Sequence, residues 1–200
     1  MCKFNKQRPQ KFLALFFVFL FTLSLLMCSS AAPLPFPHDG KISLYATYLN
    51  ESLEITYLKP DGSWDEDAYQ KINYLLRSRT DQKVHDINKN LIELLDHLQD
   101  HFGVDTIEVI CGYRSPEMNK KLKSQGKNVA EESHHLKGEA ADIHIDEVRE
   151  DTLRDYIVSL GLFHARYYGI NLMVHVQPGK GSQSTASEFV QNTSIGIFNQ

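Results

Sequence analysis

Cysteine is scarce in this chain of 200 residues: there are three, at positions 2, 28 and 111. The first two fall in a leading segment treated below, so the rest of the chain holds one thiol and no intramolecular disulfide. The domain must then rest on its hydrophobic core, and at roughly 165 residues it is long enough to build one. A lone Cys111 inside an apolar run reads as a small buried hydrophobe rather than a reactive thiol. Basic residues are also few where nucleic acid would need them. Four of the 21 (Lys3, Lys6, Arg8 and Lys11) lie within residues 1–31, which contain no acid. The remainder carries 17 basic and 25 acidic residues, a formal charge of −8. Phosphate-backbone binders work by neutralising phosphates with Lys and Arg, so no nucleic acid partner is expected. No internal repeat is present. A composition that is 42% hydrophobic and 23% charged excludes a collagen-like or wholly disordered chain.

The N-terminus is informative. Phe12 to Cys28 is a 17-residue apolar run broken only by Thr22 and Ser24. A basic stretch precedes it, and Ser29, Ser30, Ala31 and Ala32 follow. That order predicts a secretory signal peptide over residues 1–31, cleaved after Ala31. The run also reaches the short limit of a spanning helix, so a retained membrane anchor is the alternative. Lipidation of Cys28 is disfavoured by the bulky Met27 before it. The positive flank stays inside in every case. The domain is thus expected in the periplasm or secreted, touching a membrane only through this segment.

Beyond it, Pro33, Pro35 and Pro37 mark a short extended leader over residues 32–40. Ile42 to Tyr48 and Leu53 to Leu58 are rich in β-branched and aromatic residues and predict a hairpin. Ser63 is the expected cap of a helix carrying Ile72, Leu75 and Leu76 on one face. Leu91, Leu94, Leu95, Leu98 and Phe102 recur at helical spacing, with Gly103 as the stop. Thr106 to Cys111 fits a buried strand, and Pro116 opens a helix to about Lys123. A polar loop over 124–133, a strand from Ala140 to Ile145 and a helix from Val148 to Leu160 come next. His164 to Tyr168 and Leu172 to Val176 form a last strand pair. Residues 179–200 are a polar tail. Helices followed by strands mixed with helices predict an α+β domain with an antiparallel sheet and flanking helices.

Nine histidines occur, all beyond the signal. His135 and Asp142 flank Leu-Lys-Gly-Glu-Ala-Ala, where Gly138 permits a sharp turn and Ala140 and Ala141 permit close packing. With His175 from the last strand they make a possible set of two imidazoles and one carboxylate. That set suits zinc with a fourth position open to water, and such a site suits amide or ester hydrolysis. On spacing alone, unrelated surface or core histidines remain the alternative.

Three blocks together carry a resemblance. They are Gly112-Tyr113-Arg114-Ser115, then Ser133-His134-His135-Leu136-Lys137-Gly138-Glu139-Ala140-Ala141-Asp142, then Val174-His175-Val176. Over residues 41–178 the chain resembles the YcbK-like branch of the LAS zinc peptidases. That superfamily includes D-alanyl-D-alanine carboxypeptidases, murein endopeptidases and the hedgehog signalling domain. The resemblance implies that fold and a Zn2+ ion held by His135, Asp142 and His175. It implies that Arg114 lies beside the metal, to hold a substrate carboxylate or steady an oxyanion. Ser133 would support the ligand loop or a substrate amide. His144 shares a strand face with Asp142, which makes it either a proton-transfer group or a solvated histidine. The chain departs from the pattern at Met173 and Leu172, where many relatives place a general base, and at Gln177, where this branch often has Asp. Base assistance is worth about 10²–10⁴-fold. Two functions are therefore implied. One is a zinc-dependent murein peptidase cutting an amide bond in peptidoglycan stem peptides or crosslinks. The other is a catalytically weak or inactive zinc-containing module that binds cell wall or protein. A monomer is expected.

Overall fold

A computed structural model describes residues 34–168 and 173–179. The expected signal, residues 32 and 33 of the leader, residues 169–172 (where the last expected strand begins at Leu172) and the polar tail beyond Gly179 lie outside them. Among the described residues no helix is long and apolar enough to cross a membrane.

Strands β1 (Lys41–Ala46) and β2 (Glu51–Thr56) form the expected hairpin. Ile42, Leu44 and Ala46 alternate into the core. The outer strand β2 carries Glu51 and Glu54, one on each face, and charge on an edge strand discourages pairing with another chain. Helix α1 (Glu66–Leu75) is capped two residues later than expected. Asp65 is the cap, accepting from the backbone N–H groups of Asp67 at 2.9 Å and Ala68 at 3.1 Å. Ser63 is engaged elsewhere, because its hydroxyl donates to Asp61 at 2.6 Å. Trp64 bridges to Leu58 and keeps the approach extended.

Helix α2 (Lys89–Phe102) carries Leu91, Leu94, Leu95 and Leu98, all essentially inaccessible to solvent. Full burial of each such side chain stabilises by about 1.5–3 kcal/mol. Gly103, at φ 64°, closes the helix in the left-handed conformation that its sequence position predicts. Strand β3 (Ile107–Cys111), helix α3 (Pro116–Ser124), a 3-10 turn (His134–Lys137), strand β4 (Ala141–His144), helix α4 (Glu150–Ser159) and strands β5 (Phe163–Tyr168) and β6 (Met173–Pro178) complete the order.

The sheet has six strands in the order β2-β1-β3-β4-β6-β5. The chain is α+β as expected, but the sheet is mixed rather than wholly antiparallel. β1 and β3 run parallel, with Leu44 opposite Ile107, because the two helices between them return the chain to the same end. The leader is more than a spacer. The backbone N–H groups of Leu34, Asp39 and Gly40 donate to Glu93, Asp100 and Asp96 at 3.0–3.1 Å. The carbonyl of Pro37 meets His97 Nδ1 at 2.7 Å. These helix positions share one face of α2 by their spacing, so the leader is strapped along it.

Candidate metal centre

The 3-10 turn begins at Ser133 and ends at Gly138, whose φ of 67° reverses the chain toward β4. That reversal places His135, which is 2% exposed, under Gly112 and beside β4. Gly112 and Gly138 both need their missing side chain. A Cβ on Gly112 would meet the Leu76 carbonyl oxygen at 2.7 Å, and one on Gly138 would meet that of Asp86 at 2.3 Å. Backbone bonds from Arg114 N to His135 O (3.0 Å) and from Asn88 N to Gly138 O (2.9 Å) tie the turn to its neighbours.

On the sheet the site is one cross-strand row. Register puts Cys111 opposite Asp142, Asp142 opposite His175 and His175 opposite Arg166. Directly opposed residues project from the same face. A shift in register between Val109 and Cys111 brings Cys111 into this row. The reading of Cys111 as a core hydrophobe therefore meets a different setting: its thiol lies within 4.8 Å of donor atoms of His135 and Asp142. Burial pushes that thiol up, yet His135 and Arg114 outweigh burial and hold it below the ordinary range.

Three atoms form a triangle. His135 Nε2 lies 3.2 Å from His175 Nδ1 and 3.4 Å from Asp142 Oδ1, and the last two are 2.8 Å apart. A tetrahedral zinc ion with bonds of about 2.0–2.1 Å needs donor atoms about 3.4 Å apart. The outward nitrogens settle the tautomers. His135 Nδ1 donates to Gly112 O at 2.8 Å, and His175 Nε2 donates to Gln177 Oε1 at 3.0 Å. Each ring thus turns a lone pair inward, toward a carboxylate that is itself acceptor-only. Three electron-pair donors converge with no hydrogen of their own between them, an arrangement that calls for a cation. Without a metal the proton fills that role. Burial opposes protonation of His135, but the Cys111 sulfur and the Asp142 carboxylate push it up to about 10. Burial likewise works against ionisation of Asp142, and its contacts with the His135 and His175 rings hold its carboxyl well below the usual range. The residues fit a zinc-type metal.

Arg114 is buried and poorly satisfied. Its nearest partners are Asn119 Oδ1 at 3.5 Å, Cys111 Sγ at 3.9 Å and Asp142 Oδ2 at 4.0 Å, and its Nε has none. A guanidinium with five donors in this state is ready for an anion. Ser133 lines the same cleft, and its hydroxyl makes no capping bond. His134 pairs with Glu139 at 2.8 Å, leaving the inward role to His135. The structure does not bring His144 to the triangle. It is held by Asp146 at 3.0 Å and Glu150 at 3.6 Å, and it does not line the cleft. The cleft has a volume of about 920 Å³, with Arg79, Lys127 and Arg166 among its walls. Two roles escaped sequence reading, that of Gln177, noted there only as a departure from the pattern, and that of Arg166. Gln177 had its signal in the period of two that puts it on the face of His175, whereas Arg166 needed the register.

The family described as peptidoglycan L,D-endopeptidase MepK matches residues 37–183. The curated relatives include the peptidoglycan L,D-endopeptidase MepK of Escherichia coli K12, 29% identical over 180 residues, covering 90% of this chain and 97% of that protein. The protein of the same name from Shigella flexneri matches to the same extent. A Haemophilus influenzae relative, "Probable peptidoglycan L,D-endopeptidase MepK", is 34% identical over 112 residues, 55% of this chain and 60% of that protein. No solved structure matches.

Proposed function

The chain belongs to the peptidase family described as peptidoglycan L,D-endopeptidase MepK, and from that premise we propose that it is a zinc-dependent murein peptidase. Its substrate is the amide bond between an L and a D centre in peptidoglycan stem peptides or crosslinks. The observation that carries this reading is the inward convergence of His135 Nε2, Asp142 Oδ1 and His175 Nδ1 at zinc-like spacing on the wall of an open cleft.

Zinc in an open three-ligand site acidifies a water and polarises a carbonyl. The chain's own groups do the rest. Gly112 O and Gln177 Oε1 hold the two imidazoles in the tautomers that face inward. Arg114 donates to the carbonyl oxygen as it gains negative charge, a role typically worth 10²–10³-fold. Ser133 offers its hydroxyl to the peptide backbone. Met173 lines the cleft where many relatives place a base, and it accepts no proton. Among the described residues, the only cleft carboxylate besides Asp142 is that of Glu132. That scarcity is what favours the second reading, a zinc-containing module that binds cell wall with little turnover.

Residues 1–31 are proposed as the export signal, retained or removed, with the peptidase domain over 41–178 and its site of action in the periplasm. The family match from residue 37 to 183 supports this division. One chain supplies all three metal donors, so a monomer suffices.

Purified zinc-loaded protein is expected to release stem-peptide fragments from murein sacculi. EDTA should stop the release, and His135→Ala should lose both stoichiometric zinc and hydrolysis. Wild-type protein that carries zinc and binds sacculi without cleaving them would select the second reading.

A further inference from the structure

The row of opposed residues continues past the metal donors. Beyond His175 the next position is Arg166 on β5, which pairs with it in register. Strands lie about 4.8 Å apart, so the Arg166 backbone sits one strand from a metal donor and its side chain lines the cleft. Arg166 is exposed, and its side chain makes no hydrogen bond, ion pair or ring contact among the described residues, while its backbone belongs to the β5–β6 ladder. The other outer cations of the cleft differ. Arg79 stacks on Tyr48 at 3.7 Å from the ring centroid. Lys127 sits on the loop after α3, off the sheet. The metal triangle is therefore flanked by two guanidiniums, Arg114 at the Asp142 end of the row and Arg166 at the His175 end. Arg166 without an ion pair and Arg114 with one only at 4.0 Å, beside the proposed metal position and in a chain that carries −8 beyond residue 31, select for an anionic ligand.

We propose that Arg166 recognises a free carboxylate on the carbon that bears the leaving nitrogen, and that it sets a preference for substrates carrying that charge. The proposal rests on the peptidase reading above. In an amide between an L and a D centre, the D carbon holds both the leaving nitrogen and a carboxyl group. Where that carboxyl ends its branch, it is a carboxylate a few bonds from the scissile carbonyl. With the carbonyl placed over the metal and its oxygen toward Arg114, the leaving side extends along the row toward β5. Arg166 meets it there with a planar fork suited to a carboxylate.

The experiment compares two synthetic stem peptides with the same L,D bond, one ending in the free acid and one in the carboxamide. Wild-type zinc protein should cleave the acid about tenfold better in kcat/KM, through a lower KM. Arg166→Gln, with folding and zinc content verified, should bring the acid down to the level of the amide. Arg166→Lys should keep part of the preference. Equal cleavage of acid and amide by wild type, or an equal loss on both in Arg166→Gln, overturns the proposal and leaves the peptidase reading standing. If wild type cleaves neither the peptides nor sacculi that a control enzyme digests, the peptidase reading fails. Calorimetric affinities then decide the role of Arg166: a preference for the acid that disappears in Arg166→Gln supports it, and equal affinities overturn it.

Discussion

Gln177 follows His175 by two residues and takes the proton-bearing side of its ring at 3.0 Å. A neutral amide oxygen orients the imidazole as a carboxylate would, but it polarises the ring less. Removing such an outer partner typically costs about 10–100-fold in metal affinity. Gln177→Leu is thus expected to weaken zinc binding by that amount, read by competition with a chromophoric chelator. Gln177→Glu should bind at least as tightly as wild type. Wild-type affinity in Gln177→Leu would mean that packing alone holds the ring. The neighbours His134 and His135 make the same point about small displacements: one residue along the turn separates a half-buried partner of Glu139 from a buried ring that faces His175 and Asp142.

The element that delivers His135 is a single 3-10 turn, and its closing glycine is the vulnerable point. Gly138 and Gly126 have similar positive φ, 67° and 75°, but only Gly138 faces a backbone oxygen, whereas Gly126 has open space. Gly126→Ala should cost little beyond the dihedral penalty of about 1 kcal/mol. Gly138→Ala should cost more, and zinc affinity should fall with it because the turn must shift. Urea denaturation and zinc titration of both variants check this, and equal losses would remove the contact with Asp86 as the cause. The turn, the strand after it and the capped helices were legible because glycine, proline and apolar spacing act locally. Leu94 and Leu98 announce their burial by period, and Pro116 announces α3. Less was legible where partners are distant. The parallel pairing of β1 with β3, the register shift that turns Cys111 toward Asp142, and the place of Arg166 at the end of the row all depend on long-range strand register. The contacts of His144 with Asp146 and Glu150 also lay beyond what strand alternation alone indicates.

At the scale of the whole domain, the leader strap ties residues 34–40 to α2 in the middle of the core. His38 stands 3.4 Å from the buried Asp96, to which Tyr57 also donates at 2.6 Å. The hydrogen bond with Asp96 raises His38 above its ordinary value, against the opposing effect of burial. A raised histidine strengthens the folded state fully below about pH 6.5, and that contribution is lost as pH climbs through the folded value. The gap in urea midpoint between wild type and His38→Gln should be widest near pH 6 and should close toward alkaline pH. A gap independent of pH would show that shape rather than charge holds the strap.

The three donors of the triangle lie at positions 135, 142 and 175, on a turn and two strands that pair only after α4 and β5 have been laid down between them. In the proposed peptidase, a nascent or threaded chain therefore cannot assemble the triangle at any length short of β6, and hydrolysis is a property of the completed topology.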